Sequence, residues 1–294
     1  MKKTTAIFAL FLAAFTWGSA FCVLKDTLEN VSPIWLLAFR FLLAGIIMTL
    51  VCIPRMKKMS IRTLKRGIIM GIVLYFEFLF FTVGLQYTTS SKSSFIIGSY
   101  VAILPLIYWV IRGKKPQRAD ILAALVCIVG LGFILLGSFD GVNKGDLISL
   151  LSAVCYAIHI VVTGIFAREE DGFLLNMLQI GTGGILGLVA AMILEPHPAG
   201  MSGMNIGSIA YLAVFCTVVP YLLSVFGQKY VKTSTSGVIL SFESVFGCIL
   251  SILILGECPG VRFVIGAMLM MCSFLIVEKI SLPLPKRVAV KAEK

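Results

Sequence analysis

Charge is what this chain of 294 residues has least of. Charged side chains make up 13% of it, about half the share usual in a globular protein. With a mean hydropathy of +1.01, a soluble fold could not cover so much apolar surface. Histidine is nearly absent, at two residues, and no CxxC pair or His/Cys cluster occurs, so a metal centre is not expected. The eight cysteines lie in or beside apolar runs, with Cys258 at a short loop, and read as small packing residues. Nucleophile-elbow, phosphate-loop and HExxH signatures are missing too, so neither an enzyme nor a bound cofactor is expected.

What is present is a series of long apolar runs. A helix crosses the hydrocarbon core with roughly 18 or more apolar residues. Ten such runs stand near 5–24, 33–53, 67–87, 93–111, 121–137, 147–166, 173–194, 206–227, 235–255 and 261–277. The first follows Lys2 and Lys3 like a signal peptide. It is too long for one, and it carries Trp17 where a small-residue cleavage site would fall, so it reads as a retained helix.

The formal charge of +11 does not point to nucleic acid, because the cations sort by loop. With the N-terminus inside, 20 of the 25 Lys and Arg residues fall on cytoplasmic segments. Lys25, Lys92, Lys144 and Arg262 fall outside, and Arg40 lies within a span. This asymmetry is the positive-inside rule, and it places both termini in the cytoplasm.

The two halves echo each other. A spacing of 143 pairs Gly84 with Gly227, Tyr87 with Tyr230, Ser91 with Ser234, Ile96 with Ile239 and Pro116 with Pro259. Earlier in each half a spacing of 139 pairs Trp17 with Tyr156, Arg40 with Gln179 and Gly45 with Gly184. The fold class expected is therefore all-α integral membrane: ten transmembrane helices in two five-helix repeats, 1–137 and 145–280, with a basic cytoplasmic tail at 281–294. Five is odd, so the second repeat enters the membrane from the opposite side. The loop charges agree, since the basic stretch 54–66 has a counterpart after the seventh run without Lys or Arg. Inverted repeats of this kind are a common build of secondary transporters.

Some packing can be anticipated. Gly67 with Gly71 and Gly183 with Gly187 form small-xxx-small pairs that let helices approach. Pro105 and Pro220 remove the helical hydrogen bonds to the carbonyls of Val101 and Cys216. The Thr/Ser run 88–94 reads as a water-facing turn, and Glu257 as a surface carboxylate at the end of the ninth run.

Ionisable groups at mid-span usually face a cavity or a partner, because a charge near the bilayer centre costs at least ~2.5–3.5 kcal/mol. Glu77 and Glu243 could each bind a cationic group or load and unload a proton, or serve as structural carboxyls bonded to a neighbouring helix. His159 could relay protons or join two helices. Arg40 has two roles open to it: holding a substrate carboxylate, or tying its helix to a neighbour. Trp17 and Tyr156 are matched aromatics that could wall a cavity or simply pack. At the 143 spacing Glu243 matches Tyr100, which puts both at the interface of the repeats.

In order and spacing these residues resemble the EamA family of the drug/metabolite transporter superfamily, over essentially the whole chain. The resemblance is carried by Trp17, Gly18 and Phe21; Arg40 and Phe41; the run from Tyr87 to Tyr100; Gly145, Asp146, Tyr156 and His159; Gln228 to Tyr230; Leu240 to Ser244; and Gly256, Glu257, Gly266 and Ala267. It implies a ten-helix carrier around a central cavity lined by the first, third, fourth, sixth, eighth and ninth helices, which places Trp17, Glu77, Tyr100, Tyr156, His159 and Glu243 as substrate-binding candidates. Glu243, Glu77 and His159 are the coupling candidates. The expected activity is secondary transport of small metabolites such as amino acids or related compounds by alternating access. Export, proton coupling and a multi-pass place in the bacterial cytoplasmic membrane belong to the same expectation. An uptake permease or facilitator of the same fold is the alternative, and an intramembrane enzyme a remote one. The partners are a small-molecule substrate and the lipid bilayer. In two places the chain departs from the family pattern. Ser244 stands where a Pro often follows the ninth-helix Glu, and Lys114 where a Glu often follows Gly113.

Overall fold

The structure is a computed structural model that describes residues 2–136, 142–198 and 200–281, with side chains to 276; the tail expected from 282 onward lies outside the described residues. It is built of helices: α1 (Lys2–Thr27), α2 (Pro33–Cys52), α3 (Ile61–Gln86), α4 (Ser90–Gly98), α5 (Tyr100–Arg112), α6 (Arg118–Leu136), α7 (Lys144–Phe166), α8 (Gly172–Leu194), α9 (Gly203–Ala213), α10 (Val219–Tyr230), α11 (Thr233–Leu240), α12 (Phe242–Leu255) and α13 (Val261–Ser281). Among the described residues nine helical spans are long and apolar enough to cross a membrane, and α13 adds a shorter apolar stretch, Val261–Ile276.

Three of the spans are interrupted. The fourth breaks at Ser99, between α4 and α5, not at Pro105, which continues α5. The Ser99 hydroxyl donates to the carbonyl of Ile96 at 2.6 Å, giving the backbone a local alternative to the helical ladder. The ninth breaks in the same way at Ser241, whose hydroxyl donates to the Val238 carbonyl at 2.7 Å. In the eighth, a π turn over Val214–Val218 joins α9 to α10 just ahead of Pro220. The third span begins earlier than its apolar run, at Ile61, because Ser60 caps it by accepting from the backbone N–H of Thr63. The basic residues Arg62 and Arg66 thus ride on its first turns.

Loops gather at two ends. At the charge-rich end Arg66 pairs with Glu169 and Glu170, each at 2.7 Å, and Arg62 also meets Glu169. At the charge-poor end two carboxylates cap helices. Glu195 accepts from the backbone N–H groups of Ile34 and Trp35 at the start of α2. Glu257 accepts from Ser90 and Ser91 at the start of α4, at 2.8 and 2.9 Å. Glu257 is therefore a capping group, a use of the positive helix N-terminus, and not the plain surface carboxylate its position suggests. The Lys25 ammonium donates to the carbonyl of Leu85 in the last turn of α3 and to that of Thr88 just beyond it. Nor does the run 88–94 form a water-facing turn: Ser90 to Ser94 lie on α4 and are buried. Lys92 forms a buried ion pair with Asp146 at 2.6 Å, and the Thr88 hydroxyl donates to the same carboxylate.

Small residues set the close helix approaches. Gly71 of α3 faces Thr182 and the carbonyl of Gln179 on α8, where an added Cβ would stand 2.7 Å from that oxygen. Gly45 of α2 meets Gly181, and Gly187 meets Ala38. The first, third, seventh, tenth and twelfth helices converge around the middle of the bundle, and that is where the ionisable residues sit.

Candidate functional site

A small cavity of about 30 Å³ lies at that convergence. Trp17 comes from α1, Arg40 from α2, Glu77 and Phe78 from α3, Tyr156 from α7, Tyr221 from α10 and Glu243 from α12. All are buried. The walls are aromatic. Trp17 meets Tyr156 and Tyr221 edge-on, with ring centroids 6.1 and 5.0 Å apart, the geometry that ring quadrupoles favour.

The polar groups are only partly satisfied. Trp17 Nε1, Arg40 Nη1, Glu77 Oε2, the Tyr221 hydroxyl and Glu243 Oε1 are buried without a hydrogen-bond partner in the chain. A buried polar atom left unpaired costs about 1–3 kcal/mol, so five around a space of this size mark a place where water completes the bonding. The set offers N–H donors, a hydroxyl and carboxyl oxygens against apolar rings.

Two of these groups, Arg40 and Glu243, are also anchored through another atom. Arg40 Nε donates to the Thr217 hydroxyl at 2.8 Å and Nη2 to the Cys216 carbonyl at 2.7 Å, while its guanidinium carbon stands 4.6 Å from the centre of the Phe78 ring. Arg40 therefore ties α2 to the π turn and still has Nη1 without a partner in the chain. The Tyr156 hydroxyl donates to Glu243 Oε2 at 3.3 Å. Behind Glu77, His159 Nδ1 lies 3.6 Å from Oε2.

A chain of amides fixes that histidine. The backbone carbonyl of Tyr221 can only accept, and Asn176 Nδ2 donates to it at 3.2 Å. Asn176 Oδ1 accepts from Gln179 Nε2 at 2.5 Å, which leaves Gln179 Oε1 to accept from His159 Nε2 at 2.8 Å. The proton of a neutral His159 is thus on Nε2, and the bare Nδ1 faces the Glu77 carboxyl.

Of the residues singled out in the sequence, Trp17, Arg40, Glu77, Tyr156 and Glu243 line the cavity itself. Tyr100 and His159 lie one layer behind. The Tyr100 ring packs on Tyr156 at 4.3 Å, and its hydroxyl donates to the Gly237 carbonyl at 2.9 Å. Sequence reasoning missed Tyr221, Phe78 and Asn176. For Tyr221 a signal existed, since it follows Pro220 directly. Among the described residues no group of His, Cys, Asp and Glu is arranged to hold a metal ion.

An all-helical bundle of membrane-length spans around a buried, partly satisfied polar cavity is the architecture of a small-solute carrier. The EamA-like transporter family model matches the chain twice, at residues 4–136 and 143–278, and the chain belongs to that family. Among similar proteins, an uncharacterised transporter of Archaeoglobus fulgidus is 30% identical, the match covering 95% of this chain and 87% of that one. A Chlamydia muridarum protein named as an S-adenosylmethionine/S-adenosylhomocysteine transporter is 27% identical, over 93% of this chain and 92% of its own. A solved crystal structure superimposes with a TM-score of 0.71 at 16% identity, covering 95% of this chain and 98% of the other; that likeness speaks to fold alone.

Proposed function

We propose that this transporter is a ten-helix secondary carrier that moves amino acids or amino-acid-derived compounds by alternating access, as an exporter of the bacterial cytoplasmic membrane, with both termini inside. The five unpartnered polar atoms around the central cavity are the observation that carries the reading. Arg40 Nη1 suits a solute carboxylate, Glu77 and Glu243 suit an ammonium or sulfonium, and the ring walls suit an apolar body. The inverted-repeat reading is supported by the paired family matches and by the like breaks at Ser99 and Ser241. Charge on Glu243 or Glu77 in one state and neutrality in another would couple the solute to a proton.

The test is a solute screen on purified protein in liposomes, with and without a pH gradient. Amino acids, S-adenosylmethionine and S-adenosylhomocysteine come first, the latter two prompted by the name of the chlamydial relative. Saturable movement of one such zwitterion, enhanced by a pH gradient, is expected. Movement no faster than in empty liposomes for the whole panel would sink the substrate class, and non-saturating flux would sink the carrier mechanism.

A further inference from the structure

Among the described residues, three charged side chains line the central cavity: Arg40 on α2, Glu77 on α3 and Glu243 on α12. Each is no more than 5% exposed. Each also keeps one atom without a partner in the chain, Nη1 of Arg40, Oε2 of Glu77 and Oε1 of Glu243. The bonds that Arg40 does make go to the Thr217 hydroxyl and the Cys216 carbonyl, both neutral.

The other ionisable groups at this depth leave the charge count unchanged. His159 donates from Nε2 to the Gln179 amide and is neutral in that form. Tyr156 donates to Glu243, and Tyr100 to the Gly237 carbonyl, as intact hydroxyls. One fixed positive charge therefore stands against two carboxyls. With both ionised, the site holds one negative charge in excess. A charge withdrawn from water without a counter-charge is costly, so the site favours a solute that supplies the complement. That complement is a carboxylate for Arg40 and a cation for each glutamate. A neutral amino acid brings one carboxylate and one ammonium, which leaves one carboxyl uncompensated. An amino acid with a cationic side group brings all three charges.

We propose that the site selects amino acids with a second cationic centre, a guanidinium, ammonium or sulfonium, and so with a single net positive charge. This substrate class rests on the carrier reading above. The α-carboxylate goes to Arg40 and the α-ammonium to Glu77, on neighbouring helices of the first half of the chain. The second cation goes to Glu243, in the second half. Tyr156, which donates to Glu243, packs edge-on against Trp17, and such rings suit an organic cation. The space between these groups, about 30 Å³, holds water and not an amino acid. The solute is therefore taken in a wider form of the site and is chosen by charge before shape.

The test uses pairs of solutes that differ in that one charge. Arginine and citrulline share a length and an outline, but only arginine carries a side-chain cation. S-adenosylmethionine and S-adenosylhomocysteine differ by a methyl group and its sulfonium charge. Binding of each to the purified full chain in nanodiscs is measured at neutral pH by titration calorimetry. Whichever pair binds, wild type is expected to hold its cationic member about tenfold or more tightly, the scale of a charged hydrogen bond. Agmatine, which is arginine without its carboxylate, should bind more weakly than arginine, because Nη1 of Arg40 then stays unpartnered. In Glu243→Gln the preference for the cationic member should fall to near parity. The melting temperature reports whether that variant folds; should it not, Glu77→Gln is read in its place and should narrow the preference likewise. Equal binding of both members by wild type overturns the inference and leaves the amino-acid carrier standing. So does agmatine bound as tightly as arginine, or a preference that survives in the Gln variant. If no member of either pair binds, the amino-acid reading itself falls, and this substrate class with it.

Discussion

Arg40 donates through Nη2 to the carbonyl of Cys216 at 2.7 Å, the carbonyl for which Pro220, lacking an N–H, offers no helical donor. A helix distortion in one half of the chain is thus completed by a charge from the other half. The same guanidinium bonds the Thr217 hydroxyl, and that hydroxyl donates back to Leu212 across the π turn at 2.8 Å. A freed carbonyl at membrane depth needs such a partner, and this one leaves Nη1 of Arg40 without a partner in the chain.

Arg40→Ala should therefore act first on folding. It strands the Cys216 carbonyl and opens space beside Phe78, a loss of about 1–3 kcal/mol for the unpaired group alone. Arg40→Lys can still reach one acceptor but presents no second N–H to the solute. The expected pattern is low folded yield for Arg40→Ala, and near-normal yield with weakened solute affinity for Arg40→Lys. Monodispersity on size exclusion and a binding titration read the two effects separately. Equal affinity for Arg40→Lys and wild type would confine Arg40 to its structural tie.

The buried pair of Lys92 and Asp146, 2.6 Å apart, fastens α4 to the start of α7 at the charge-poor end. Removing one member of a buried pair leaves a charge without its partner and costs about 3–5 kcal/mol. Lys92→Met and Asp146→Leu should each melt well below wild type in detergent. The double variant should recover most of the loss, because no charge is stranded. Additive losses in the double variant would mean that the pair contributes little as a pair.

Trp17→Phe keeps an aromatic wall and removes the Nε1–H that has no partner in the chain. If that N–H bonds the solute, apparent affinity should fall by roughly fivefold or more, a hydrogen bond's net worth of about 1 kcal/mol, with folded yield unchanged. An unchanged affinity returns Trp17 to packing alone.

The spans could be read in the sequence because twenty apolar residues have few other uses, and the cavity residues because ionisable groups are rare at that depth. The breaks were hidden. Ser99 and Ser241 interrupt helices through hydroxyl bonds three residues back, which no composition rule marks, and Pro105 drew attention six residues away. Ser244 stands where the family often has Pro; it donates to the Ser94 carbonyl while the Ser94 hydroxyl donates to the Ser244 carbonyl. The polar run 90–94 resembles a turn on paper. It is buried because Ser93 and Ser94 find partners on α7 and α12, contacts between segments far apart in the chain.

Orientation is open to a direct measurement. Reporter fusions after Arg66 and Arg118 should signal cytoplasm, and a fusion near Gly200 should signal the outside. An outside signal after Arg66 would overturn the inverted arrangement, because the basic stretch from Arg55 to Arg66 anchors the charge asymmetry.

The proposed proton coupling requires a buried carboxyl that changes its proton during the cycle. Glu77 has cationic or titratable company, with His159 Nδ1 at 3.6 Å and Arg40 on the same cavity wall. Glu243 has the Tyr156 hydroxyl on Oε2 and nothing on Oε1. Burial disfavours a charged carboxylate unless a cation compensates it, so Glu243 is the group most dependent on a solute cation or a proton for neutrality. Glu243→Gln keeps the shape and the bond from Tyr156 but removes the titration. Exchange of solute across liposomes should then survive, while accumulation driven by a pH gradient is lost. Glu77→Gln should leave gradient-driven accumulation in place and change affinity instead. If Glu243→Gln accumulates solute with an unchanged pH profile and Glu77→Gln does not, the coupling role passes to Glu77 and its histidine. If both variants accumulate normally, neither carboxyl carries the proton, and the solute's own charge is what the gradient acts on.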